Sequence, residues 1–154
     1  MVASIYLRAS PENGVAEADA ALVEAGKGLV GDRYHAGSGS FWRDGKNGQD
    51  LTFIEAEALA ALEADTGIVL APELSRRNIL TRGVSLEALL GQPFRVGEVE
   101  CLGARRCPPC SRLEALTEEG VHEGLIRRGG LRADALTSGR IARGDTITLI
   151  ESLA

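Results

Sequence analysis

The sequence is poor in aromatic residues, in sulfur and in long apolar runs. Aromatic side chains make up 4% of the 154 residues, and there are three cysteines, two histidines and one methionine. No apolar run approaches the ~20 residues of a membrane-spanning helix, and no charged-then-apolar signal peptide opens the chain. The hydrophobic fraction of 44% and the charged fraction of 25% are ordinary for a globular protein. We therefore expect one domain over residues 1–154 with an aliphatic core, located in the cytoplasm and without membrane contact.

The small number of cysteines also limits the chemistry. Three cysteines without an export signal argue against a disulfide-stabilised scaffold. Cys107 and Cys110 have the spacing of zinc ligands, but the second Cys/His pair of a structural zinc site is missing. The two histidines, His35 and His122, are far apart in sequence. A closed zinc site is not expected.

The charge is distributed unevenly along the chain. The net charge of −5 disfavours general nucleic-acid binding, but residues 105–143 hold eight arginines against five acidic residues. Fifteen of the seventeen basic residues are arginine, whose planar guanidinium suits bidentate contacts with phosphate or carboxylate. Two interpretations remain open, a genome-wide preference for arginine codons and a binding site for an anionic ligand.

Residues 105–114, Arg-Arg-Cys-Pro-Pro-Cys-Ser-Arg-Leu-Glu, form the most informative segment. Ser111 and Glu114 have the spacing of a capping box, which predicts a short helix from Ser111. Cys110 would then lie at the positive end of that helix, among arginines. Such surroundings stabilise thiolates, so the pattern predicts a reactive sulfur at Cys110.

The Cys-Pro-Pro-Cys spacing by itself permits three uses. The first is thiol–disulfide exchange, which normally has its first cysteine at the start of a helix. The second is a sulfur carrier or soft-metal ligand centred on Cys110, and the third is a pair of small buried side chains. Cys101 lies in an apolar alternating segment and is expected in the core.

Short alternating segments separated by turn residues predict a β-rich, mixed α+β fold that resembles a barrel with a few short helices. Thr52 and Glu55 form a second capping box, which predicts the clearest helix, from about Phe53 to Asp65, ended by Gly67. Residues 15–26 fit either helix or strand. The remaining predictions are a helical turn over 85–90, a helix within 117–128, a turn-rich connection over 137–145, and strands over 4–8, 93–96, 98–102, 131–136 and 146–150.

Two further segments carry weak signals for anion binding. Gly31-Asp32-Arg33 is typical of a β-turn with a surface ion pair, or of a loop that binds an anion through Arg33 and its amides. Arg76-Arg77-Asn78 is either solvated charge or a fork for an anionic ligand.

The order of these segments resembles that of the MOSC domain, named after the C-terminal domain of molybdenum-cofactor sulfurases. The resemblance covers nearly the whole chain and is carried by Gly28-Leu29-Val30-Gly31-Asp32-Arg33, Leu51-Thr52-Phe53-Ile54-Glu55, Arg77-Asn78-Ile79, residues 83–91, Pro109-Cys110-Ser111-Arg112-Leu113 and residues 139–145.

The resemblance implies a strand-rich barrel and a role for one hallmark cysteine, which matches Cys110. That cysteine would carry sulfur as a persulfide or coordinate the molybdenum of a bound molybdopterin cofactor. Arg33, Arg77 and Asn78 would contact the phosphate and pterin of that cofactor. Arg105 and Arg106 are additional binding candidates on local charge alone.

The resemblance also implies a partner. Cofactor sulfurases join this domain to a pyridoxal-phosphate desulfurase, for which 154 residues leave no room. Pyridoxal phosphate is therefore expected only in a separate cysteine desulfurase. That desulfurase, another sulfur donor or an electron-transfer protein would supply sulfur or electrons.

The resulting function is cofactor binding, sulfur transfer to a metal centre, or molybdenum-dependent reduction of N-hydroxylated compounds. A non-enzymatic module that delivers cofactor to molybdoenzymes is the alternative, and a dithiol oxidoreductase is a third.

Overall fold

The computed structural model describes residues 1–8, 14–32, 35–36, 47–109 and 111–150. Within them the chain forms eleven strands, three α-helices, and 3-10 turns at Pro72–Leu74 and Glu87–Leu89. The strands are β1 (Val2–Leu7), β2 (Ala16–Ala18), β3 (Ala20–Glu24), β4 (Gly28–Leu29), β5 (Leu51–Glu55), β6 (Ile79–Thr81), β7 (Pro93–Val96), β8 (Val99–Arg106), β9 (Leu131–Ala135), β10 (Gly139–Ala142) and β11 (Ile147–Leu149). The helices are α1 (Ala56–Thr66), α2 (Ser111–Leu116) and α3 (Val121–Gly124).

Two sheets hold these strands. The larger has eight strands in the order β11-β7-β8-β9-β5-β6-β1-β2, and the smaller has the order β10-β3-β4. Strands β5 and β6 pair in parallel, with α1 in the connection between them, and the other strand pairings are antiparallel. The β-rich fold with a few short helices that the sequence predicts is confirmed.

The hydrophobic core lies in two layers. Apolar side chains of both sheets, among them Val23, Ile141 and Phe53, form one cluster between the sheets. The opposite face of the large sheet contributes Ile54 and other residues to a second cluster with the helices. Because successive strand residues point to opposite faces, β5 supplies both layers. Within the described residues, no helix is long and apolar enough to span a membrane.

The structure decides one segment that the sequence left open and corrects another. Residues 15–26 form β2 and β3 rather than a helix, and the alternation of buried Ala21 and Val23 with exposed neighbours explains the choice. The predicted connection 137–145 contains β10, which pairs with β3. A strand this short depends on that distant partner, so local turn signals conceal it.

The predicted capping box at Thr52 and Glu55 is wrong. The helix begins at Ala56, and the preceding five residues form β5, which pairs with β6. The Thr52 hydroxyl donates to Asn78 Oδ1 at 3.0 Å, and Glu55 Oε2 accepts from the Leu86 amide at 3.0 Å. Tertiary hydrogen bonds have replaced the local cap. The predicted end is confirmed, because Gly67 terminates α1 with a φ of 78°.

A buried carboxylate lies at the start of β5. Asp50 Oδ2 accepts a hydrogen bond from the Ala135 amide at 2.9 Å, and Asp134 lies nearby. Burial raises the pKa of Asp50, the Ala135 amide opposes this, and the like charge of Asp134 adds to it. The ionised form is therefore less favourable in the folded protein than in the unfolded chain at neutral pH.

The substitution Asp50→Asn should raise the Tm at pH 7, because the amide oxygen can still accept from Ala135 while the buried charge is removed. As the pH falls through the raised pKa towards 3.8, the native carboxyl binds its proton before the unfolded one, and the difference in Tm should shrink. Thermal unfolding at pH 7 and pH 3.5 measures both effects. The exposed substitution Glu119→Gln is the control, and a Tm lowered by Asp50→Asn at pH 7 would contradict the prediction.

Candidate functional site

A cavity of about 150 Å³ opens beside the Cys-Pro-Pro segment. Its wall is formed by residues 86–87, 106–108 and 127–130, together with Glu55. Pockets for drug-sized ligands usually measure about 300–1,000 Å³. The described part of the wall thus accommodates a small chemical group rather than a whole cofactor.

Arg77 joins the segments that form the cavity wall through hydrogen bonds to their backbone. Its side chain is buried, and its Nη2 donates to the carbonyls of Cys107 at 3.0 Å and Pro108 at 3.1 Å. Nε donates to Gly129 O at 2.9 Å, and Nη1 to Ser75 O at 3.2 Å. One guanidinium therefore joins three loops, and the geometry makes Arg77 a positioning residue for the segment before Cys110. Direct contact of Arg77 with a cofactor stays a prediction.

Two glycines let the loop at 127–130 approach the cysteine segment. The Cys107 amide donates to Gly130 O at 2.8 Å. A β-carbon at Gly129 would lie 2.6 Å from Cys107 O and 2.7 Å from Pro109 Cδ, both far inside contact distance. The two loops pack backbone against backbone, which only glycine at this position permits.

The described cysteines differ from each other in position. Cys101 is fully buried in β8, and burial, helped by the carboxylates of Asp50 and Asp134, raises the pKa of its thiol to about 12. Its predicted place in the core is confirmed. Cys107 is 2% exposed and lies in the cavity wall, which disfavours it as an attacking thiol in disulfide exchange. Cys110, the predicted reactive sulfur, lies outside the described residues.

The predicted helix after the cysteines is confirmed as α2, which begins at Ser111, while the Ser111 side of its capping box stays a prediction. Glu114 Oε1 accepts from the amides of Gly120 at 2.8 Å and His122 at 3.3 Å. The carboxylate therefore caps the start of α3 instead of returning to the start of α2. Glu114 reaches the next helix because the two short helices pack together.

Of the predicted cofactor contacts Asn78 and Arg33, the structure describes only Asn78. Asn78 Nδ2 donates to Tyr6 O at 3.0 Å, and its Oδ1 accepts from Thr52. Its side chain thus links β1, β5 and β6, and a contact with cofactor stays a prediction. Arg33 lies outside the described residues. Beside it, Asp32 is buried and accepts a hydrogen bond from the Arg8 amide at 2.9 Å, rather than lying at the surface.

Arg105 and Arg106 are adjacent at the end of β8, and their side chains lie on opposite faces of the strand. Neighbouring strand residues point to opposite faces, and only Arg106 lines the cavity. Arg106 forms a two-point ion pair with Glu87, in which Nε lies 3.1 Å from Oε2. The hydrogen bonds from Arg106 lower the pKa of Glu87. The cavity therefore opens beside a cation that is paired with an exposed carboxylate.

The sequence interpretation missed Arg127, which also lines the cavity. It has a φ of 69°, a left-handed conformation that non-glycine residues seldom adopt. The sequence signal that could have revealed it is the run Arg127-Arg128-Gly129-Gly130, which marks a tight turn carrying two cations.

The chain belongs to the MOSC domain family, since the profile of that family, described as "MOSC domain", matches residues 40–148. The family is associated in general with molybdenum-cofactor binding and sulfur transfer. The resemblance stated from the sequence is thereby confirmed.

Solved structures support the same fold. The YUAD protein from Bacillus subtilis superposes with a TM-score of 0.75 at 16% identity, over 97% of this chain and 96% of that chain. YiiM from Geobacillus stearothermophilus gives 0.70 at 16% identity, over 98% and 75%. YiiM from Escherichia coli gives 0.67 at 15% identity, over 100% and 72%. No curated protein matches the chain significantly in sequence.

Proposed function

We propose that this protein binds a molybdopterin-type cofactor or relays sulfur, and that Cys110 is the functional sulfur. The observation that carries the proposal is the anchoring of the segment before Cys110. Arg77 binds the carbonyls of Cys107 and Pro108, and Gly129 and Gly130 pack against the same segment beside a cavity. The segment that precedes Cys110 in the sequence is thus a rigid support, which a catalytic or ligating group requires.

The described residues fit the polar end of such a cofactor. The cavity is lined by Arg106, Arg127 and Arg128, and guanidinium groups suit a phosphate. A bound cofactor would supply a redox-active metal centre. The contribution of the chain would be to orient it, with Cys110 as the candidate molybdenum ligand and Arg33 and Arg105 as further candidates for its anionic groups.

In the sulfur-relay role, the Cys110 thiolate attacks the outer sulfur of a persulfide on a donor such as a cysteine desulfurase. The new S–S bond forms on Cys110 as the S–S bond of the donor breaks, and the donor leaves as a thiolate. No net oxidation occurs, because one sulfane sulfur has moved between two thiols. Pyridoxal phosphate belongs to the donor alone.

Incubation with a cysteine desulfurase and cysteine should add one sulfur atom to the protein, as measured by intact mass. Cys110→Ser should abolish the addition because it removes the accepting thiolate. Cys101→Ala is the matched control and should keep it, since Cys101 is fully buried and its pKa is about 12. Equal addition to the Cys110→Ser variant would rule out the assignment.

The ligand role has a separate readout. Protein produced alongside the cofactor pathway should co-purify with molybdenum, and Cys110→Ser should not. Turnover of hydroxylamine-type substrates with an artificial reductant would then indicate a reductase. Retained cofactor without turnover, together with binding to an apo-molybdoenzyme, would instead favour a delivery module.

A further inference from the structure

Arg127 combines an unfavourable backbone conformation with an exposed cation at the cavity. Its φ of 69° lies in the left-handed region, where a side chain is strained and glycine is not. Two glycines follow directly, so the turn already contains residues suited to such conformations. A strained non-glycine residue at a cavity points to a function for its side chain.

Two neighbouring cations, Arg77 and Arg128, bind backbone carbonyls of the protein itself. Arg77 donates to four backbone carbonyls. Arg128 donates to Gly124 O at 2.8 Å and to Asp65 at 2.7 Å. Among the residues that the structure describes, none forms a hydrogen bond or ion pair with the guanidinium of Arg127, which is exposed at the cavity. Its donors face solvent and the cavity.

Arg106 is the second available cation, because its partner is itself exposed. Its side chain is 61% exposed and that of Glu87 is 58% exposed, so water screens their attraction. An anion entering the cavity can therefore replace the Glu87 carboxylate at little cost. The remaining carboxylate of the wall, Glu55, is engaged by the Leu86 amide through Oε2.

We propose that Arg127 and Arg106 form a binding site for a tetrahedral oxyanion such as a phosphate monoester, and that Glu87 is the internal counter-ion which the ligand displaces. Arg127 provides the permanent part of the site, and the Arg106–Glu87 pair sets its selectivity. A weak or monovalent anion does not displace the carboxylate, whereas a dianion with several acceptor oxygens does.

The cavity volume agrees with this class of ligand group. About 150 Å³ accommodates a phosphate-sized group whose remainder extends beyond the described wall. The inference rests on the proposed function only for the identity of the natural ligand, whose phosphate would occupy the site. Neither binding of inorganic phosphate nor the proposed geometry involves Cys110.

Titration of the full-length protein with inorganic phosphate, followed by calorimetry, tests the site. Arg127→Gln should weaken binding about tenfold, the loss expected for one charge-assisted contact. Arg127→Lys should lose less, because it keeps the charge but not the fork. Arg140→Gln, which removes a cation from β10 in the smaller sheet, is the matched control and should bind as the wild type does.

Arg127→Gly separates a binding role from a structural one. It should weaken phosphate binding as Arg127→Gln does, yet leave the Tm unchanged or raise it by up to about 4 °C, since glycine relieves the left-handed strain. A marked fall in Tm would show that the side chain supports the fold and would overturn the inference. So would unchanged phosphate binding by Arg127→Gln.

Glu87→Gln should strengthen phosphate binding severalfold because Arg106 no longer has a competing carboxylate. The gain should vanish in the double variant with Arg106→Gln, and weaker binding by Glu87→Gln would contradict the counter-ion role. The Cys110→Ser variant should bind phosphate as the wild-type protein does, even if the substitution abolishes sulfur loading or molybdenum content. Failure of the oxyanion site and failure of the proposed function are thereby distinguished.

Discussion

Replacing Arg77 with methionine should lower the free energy of unfolding by about 3–5 kcal/mol, as for other disrupted buried hydrogen-bond networks. Methionine fills much of the same space but donates nothing. The carbonyls of Ser75, Cys107, Pro108 and Gly129 would each lose a donor. Urea denaturation followed by circular dichroism measures the change, and sulfur loading or metal content reports the accompanying loss of the support beside Cys110.

The conservative variant Arg77→Lys should be intermediate. Its single ammonium group can reach some of the same carbonyls, but it lacks the planar fork that joins three loops. Arg140→Met, at a position on the smaller sheet, is the control for loss of a cation and should change the free energy of unfolding by less than about 1 kcal/mol. An equally small change for Arg77→Met would show that the loops hold together without the guanidinium.

Gly130→Ala should destabilise the protein by about 3 kcal/mol or more, through two effects at one position. Its φ of 121° is unfavourable for any side chain, and the new β-carbon would overlap the carbonyl oxygen of Phe53 in β5. Neither effect can be relieved without moving backbone atoms of the central sheet. The midpoint of urea denaturation should fall accordingly.

Gly144→Ala separates these two effects. Gly144 has a φ of 91° but nothing within 4 Å of a new β-carbon, so its substitution reports the backbone strain alone. The loss at Gly130 should exceed the loss at Gly144, and equal losses would refute the steric contact with Phe53. Gly129→Ala should instead displace residues 107–109 and reduce sulfur loading, since its clash is with the Cys107 carbonyl and Pro109.

Elements stabilised by neighbouring residues could be predicted from the sequence, whereas those that depend on distant partners could not. Alternation over a few residues was sufficient to predict β7, β9 and the first half of β8, and a glycine in the left-handed conformation ends α1 as predicted. The capping box predicted at Thr52 and Glu55 was wrong because both side chains bond to distant segments, and Glu114 likewise bonds to a later helix. The spacing of residues in the sequence does not show whether a side chain will cap its own helix or bond to a distant segment.

The site shows the same division. The sequence alone determined the β-rich class, the resemblance to the MOSC family, and the segment around Cys110 as the place of interest, because these depend on residue types and their order. Only the tertiary structure decided what each arginine does, since a guanidinium acts according to the acceptors around it. It made Arg77 an anchor for three loops, paired Arg106 with Glu87, and brought Arg127 to the same cavity.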